Sequence, residues 1–151
     1  MPRWSRWATN DDGSAALEFI TVGVILLVPL VYLIVALGVI QEQTLGVEAA
    51  ARHTARVVAL APDAATAEAR SQRVLAGIID EYGLAADAVE VSMTCSPAGA
   101  ECPSAGSTII VTIGTRVGLP LMPPIFGLDR AVAIPVEASA VQKVSRLWGD
   151  G

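Results

Sequence analysis

Histidine occurs once, at His53, and cysteine only twice, at Cys95 and Cys102. A zinc site built on the cysteines would need two more ligands, and His53 lies far from them in sequence. One histidine in a helical stretch yields no Ser-His-Asp grouping. No glycine-rich phosphate loop follows a strand-like run, and no His/Cys/Asp cluster has metal-ligand spacing. These absences argue against an enzyme, and no cofactor or metal is expected. The acidic pair Asp80-Glu81 reads as a solvated helix end.

An excess of positive charge is also lacking. Ten Lys and Arg face fifteen Asp and Glu, for a net charge of −5. Arg3 and Arg6 balance Asp11 and Asp12 within residues 1–13, so the remainder still carries −5. That balance argues against nucleic acid as a partner and against docking on an anionic membrane surface.

The third absence is local: residues 19–40 contain no charged side chain. Those 22 residues make a helix roughly 33 Å long, against a bilayer hydrocarbon core of about 30 Å. A soluble core helix rarely stays apolar on every face for six turns. The expectation is a single membrane-spanning helix, with Pro29 tolerated inside it. Nothing later in the chain is apolar enough for a second span. The whole chain is 53% apolar, with a mean hydropathy of +0.55.

Beyond the span, residues 41–60 continue as helix. Val47, Ala50, Ala51, Thr54, Val58 and Ala61 recur at spacings of three and four on one side. Glu48 precedes Arg52 by four, the favourable order for a helical ion pair. Pro62 ends this helix. A second helix is expected over residues 64–82, with Ala67, Val74, Leu75, Ile78 and Ile79 on its packed face and Gly83 as its stop. After Gly83 the period drops to two. Strands are expected over 89–95, 108–117 and 131–141, with Pro135 placing the last at an edge or bulge. The tail from residue 142 reads as polar and frayed. The expected fold is α+β: a long N-terminal helix, a second packed helix, and a small antiparallel sheet of about three strands.

Cys95 and Cys102 flank a loop rich in turn residues, Ser96-Pro-Ala-Gly-Ala-Glu101. An even count closing a short loop in a membrane-anchored domain points to a disulfide, with two free thiols or half a metal site as the alternatives. A disulfide places this domain outside the cytoplasm. The arginines Arg3 and Arg6 lean weakly toward a cytoplasmic N-terminus.

The stretch Gly13-Ser-Ala-Ala-Leu-Glu18-Phe19 runs directly into the span. A carboxylate at the edge of an apolar helix carries an energetic cost, small if it lies at headgroup level. Glycine, four residues, then glutamate and an aromatic, ahead of about 20 apolar residues, resembles a class III (type IV prepilin) signal. The Glu-Phe pair is similar to the Flp subgroup. With Pro29, the alanine-rich Glu48-Ala-Ala-Ala-Arg52-His-Thr-Ala-Arg56 and the cysteine-bearing β region, the layout resembles the TadE-like minor pilins (pseudopilins) of the tight-adherence (Flp) system. The leader departs from that family in charge, since Asp11 and Asp12 offset its arginines.

The resemblance implies cleavage between Gly13 and Ser14 by a membrane prepilin peptidase. The apolar helix is then retained, and Glu18 becomes the fifth residue of the mature chain. Glycine, without a Cβ, allows close approach to the scissile backbone. In packed pilin helices an unpaired carboxylate would be penalised, and the new α-amino group of a neighbouring subunit neutralises it. The implied partners are the lipid bilayer, the prepilin peptidase, other pilin subunits and the assembly platform. Gly13 and Ser14 are therefore the cleavage residues and Glu18 and Phe19 the assembly residues. Two rival readings remain. One is an uncleaved single-pass signal anchor whose extracytoplasmic domain binds a partner. The other is a secreted chain cut after the small-x-small triplet Ala36-Leu37-Gly38.

Overall fold

The computed structural model describes residues 12–97, 101–121 and 132–149. The chain divides into two compact units, residues 1–37 and 38–151. The elements are α1 (Asp12–Ala59), α2 (Ala64–Glu81), a short 3-10 turn (Ala86–Ala88), β1 (Glu90–Ser96), β2 (Thr108–Val117) and β3 (Ile134–Lys143).

The first unit holds the apolar half of α1. Helix continues through Pro29. Asp12 and Gly13 are already helical, so Ser14 lies within helical backbone. The Thr21 hydroxyl folds back to donate to the Leu17 carbonyl at 2.7 Å, which satisfies it without leaving the helix.

In the second unit, α1 presents a face of small side chains. Val47, Ala50, Ala51, Ala55 and Val58 are fully or almost fully buried, and Thr54 and Ala61 accompany them. They share one core with Ala67 and Ile78 of α2 and with Ile109, Val111 and Ile113 of β2. Alanine at so many contact positions permits close backbone approach. Gly46 takes this furthest: a Cβ there would sit 2.7 Å from the Tyr82 Cβ.

Asp63 caps α2. Its carboxylate accepts from the Thr66 backbone N–H at 2.7 Å and from the Thr66 hydroxyl at 3.0 Å. The other end closes at Tyr82, and Gly83 takes φ +60°, the left-handed stop that glycine permits. The exposed pair Glu48–Arg52 forms at 2.7 Å, and such a pair contributes only a few tenths of a kcal/mol.

The sheet is an antiparallel meander in the order β1-β2-β3. Register fixes its faces. Val111 lies opposite Met93 and Ala140, and Ile113 opposite Ala138, so these side chains share the inward face. The central strand alternates strictly, with Ile109, Val111, Ile113, Thr115 and Val117 buried. Pro135 lies on β3, an outer strand, where a missing ladder donor is tolerated.

Two expectations are corrected. First, strand limits shift: β1 begins at Glu90 rather than 89, and β3 spans Ile134–Lys143 rather than 131–141. β3 pairs with the full length of β2, and that pairing sets its ends. Second, the tail is not frayed over its described residues. Val144 is buried, its N–H donates to the Ser107 carbonyl at 2.8 Å, and the Gly149 N–H donates to the Pro62 carbonyl at 2.9 Å. Satisfied backbone groups and a buried valine hold it down.

A matched pair of glycines tests the packing. Gly46→Ala must displace the Tyr82 side chain near its root and is expected to destabilise the domain by about 1–3 kcal/mol. Gly77→Ala meets nothing within 4 Å and is expected to stabilise α2 by about 0.5–1 kcal/mol. Urea titration of both variants checks the pair, and equal effects would contradict the packing. The cap makes a pH prediction. The Thr66 backbone N–H, then its hydroxyl, hold Asp63 below its ordinary value of 3.8. A carboxyl lowered on folding contributes stability that is present above its unfolded pKa and lost as pH falls through the folded one. Asp63→Asn keeps a capping oxygen without the charge. The stability difference between wild type and this variant should therefore stay flat at neutral pH and change only below about 3.8.

Candidate functional site

The N-terminal motif lies at the start of α1. Gly13 and Ser14 are in helical backbone, and Glu18 and Phe19 come in the next turn, exposed. Phe19 is 81% exposed. Ser14 and Glu18 are four positions apart and so occupy one side of the helix, a turn from each other. Among the described residues the ion pair is Glu48–Arg52, and Glu18 has no cationic partner.

The surface C-terminal to Glu18 makes that unpaired charge significant. The helix from Ala16 contains an 18-residue window of mean hydropathy 2.9, of which 6% is buried. Leu26, Leu27, Val28 and Ile34 are more than half exposed, while Tyr32 is half-buried and Ala36 buried. The helix is long and apolar enough to cross a membrane, and it is the one such helix among the described residues. Isolated in water, this surface would be strongly unfavourable. Its one carboxylate is Glu18, at the N-terminal edge.

The other residues singled out by sequence fall in the second unit. Cys95 and Cys102 form a disulfide with a Cα–Cα distance of 5.6 Å. Cys95 lies on β1 opposite Ile109, on the inward face, and the bridge ties β1 to the chain leading into β2. Both sulfurs are thus committed to each other and not to a metal. His53 is exposed on α1. The cysteine pair and the Gly13–Phe19 motif fall in different units.

Sequence reading misses a depression on the outward face of the sheet. Glu90, Gly114 and Glu137 lie in one row across β1, β2 and β3. The missing side chain at Gly114 opens a hollow of about 160 Å³, with Arg116 and Pro135 at its rim. The two glutamates are two strand spacings apart, about 10 Å between their Cα atoms, and among the described residues no third His, Cys, Asp or Glu joins them as a metal-binding group. No histidine, cysteine or serine lines the hollow. The only signal that could have found it is the strand register.

No protein-family model, curated protein or solved structure matches this chain.

Because the disulfide closes a loop of separation seven, the chain-entropy relation assigns it about 2.5 kcal/mol. The double variant Cys95→Ser, Cys102→Ser should lose that much in chemical denaturation. A variant as stable as wild type would show that the bridge contributes nothing to folding.

Proposed function

We propose that this chain is a TadE-like minor pilin of a tight-adherence (Flp-type) pilus, acting in assembly, priming or at the tip. A prepilin peptidase cuts it between Gly13 and Ser14. The apolar half of α1 crosses the cell membrane with its N-terminus cytoplasmic, and the α+β domain lies on the extracytoplasmic side. The chain works by packing against other pilin subunits and the assembly platform, and it is not an enzyme.

The observation that carries this reading is Glu18. It is an exposed carboxylate without an ion-pair partner among the described residues, five residues after Gly13, directly ahead of the uncharged run 19–40. Proteolysis after Gly13 creates an α-amino group at Ser14. On a neighbouring subunit this amine supplies the counter-charge that Glu18 needs inside an apolar bundle. The disulfide supports the extracytoplasmic placement of the domain, since such bonds persist in oxidising compartments.

A second reading, an uncleaved signal anchor whose domain binds a partner in an envelope complex, is favoured by one observation. Gly13 and Ser14 are helical, and a peptidase must open a helix to reach the bond. Glycine reduces that cost by roughly 1 kcal/mol relative to alanine.

N-terminal sequencing of the membrane-extracted protein from its native host separates the readings. A start at Ser14 is expected. A start at Met1 or Pro2 would establish the anchor, and a start at Val39 a secreted chain. In the cleaved protein, Glu18→Ala should leave membrane insertion unchanged and abolish incorporation into filaments. Normal incorporation of that variant would defeat the assembly role.

A further inference from the structure

The apolar half of α1 holds one donor and one acceptor without partners. Pro29 has no N–H, so the carbonyl of Ile25, four residues earlier, loses its helical hydrogen bond. Thr21 and Thr44 both donate to carbonyls of their own helix, but the Tyr32 hydroxyl has no hydrogen-bond partner among the described residues. In hydrocarbon both groups are penalised until they are paired.

They lie on the same side. Ile25 and Tyr32 are seven residues apart, about two full turns. Glu18 is seven residues before Ile25 and falls on the same line, with Thr21 and Pro29 flanking it. Every polar feature of the span therefore shares one stripe, and the opposite side, at Leu27 and Ile34, is purely aliphatic.

Axial positions narrow the choice further. The offset between copies rests on the pilin reading, in which Glu18 meets the Ser14 amine of a neighbour. That pairing needs an offset of four residues, about 6 Å along the axis. The same offset brings the neighbour's Ile25 level with position 29. Its carbonyl points toward the helix C-terminus, and the Tyr32 side chain leans back toward the N-terminus. Donor and acceptor then meet at about the same height.

We propose that Tyr32 donates a hydrogen bond to the Pro29-freed carbonyl of Ile25 in a second, parallel copy of this chain, at the offset that also pairs Glu18 with Ser14. The stripe is self-complementary, because each copy offers both the donor and the acceptor. Because donor and acceptor share one side of the helix, the contact pairs two copies.

The test is self-association of the labelled chain, purified from its native host in whatever form the host processes it, in phosphatidylcholine vesicles, read by energy transfer. Tyr32→Phe removes the donor and should weaken association about threefold, the usual effect of one hydrogen bond between membrane helices. Pro29→Ala returns a partner to the Ile25 carbonyl within its own helix and should weaken association similarly. The double variant should be no weaker than either single one, since both remove the same bond. Wild-type association by Tyr32→Phe, or losses that multiply in the double variant, would overturn the proposal. The pilin reading fails separately. A chain that starts at Ser14 but is indifferent to Tyr32→Phe refutes this hydrogen bond alone. A chain that keeps Met1 while Tyr32→Phe weakens association refutes the processing and the shared offset, and leaves the hydrogen bond standing.

Discussion

The structure depends on an apolar surface that its described residues leave uncovered. Between Leu17 and Leu37 the large aliphatic side chains of α1 stay about half exposed or more. At about 25 cal/mol per Å², leaving that surface in water would outweigh the few kcal/mol by which a small domain is stable. It must be covered by lipid, by other helices, or by both. A bilayer satisfies the aliphatic sides. It does not satisfy the stripe of Glu18, the Ile25 carbonyl and Tyr32, and that mismatch is why helix–helix contact is the proposed role.

The second half of α1 obeys the opposite rule. There the buried residues are small and regularly spaced, and the exposed face carries Arg52, His53 and Arg56. One continuous helix thus changes its surface chemistry partway along. Hydropathy marks the change plainly, because a run without charge gives way to Glu42, Glu48 and Arg52.

Much of this is legible in the sequence for identifiable reasons. The α1 face from Val47 to Ala61 follows from threefold and fourfold spacing. The break at Pro62, the stop at Gly83 and the Glu48–Arg52 pair follow from local chemistry that acts within one turn. The disulfide follows from two cysteines bracketing a short loop. Long-range pairing is what the sequence conceals. The ends of β3 depend on how far β2 extends opposite it, and the hollow at Gly114 exists only because Glu90 and Glu137 fall in register on either side. The order of the tail is hidden for a related reason: its anchors at Ser107 and Pro62 are backbone carbonyls, which no side-chain pattern announces. At the candidate site, Glu18 stands out by charge alone, whereas the kinship of Tyr32 with Pro29 emerges only when both are placed on a continuous helix.

Alkaline carbonate extraction of membranes bearing the full chain measures most directly whether the uncovered surface of α1 lies in lipid. The account predicts that the chain stays in the membrane pellet, as an integral protein does. Quantitative release of the chain into the aqueous supernatant as a monomer would contradict it.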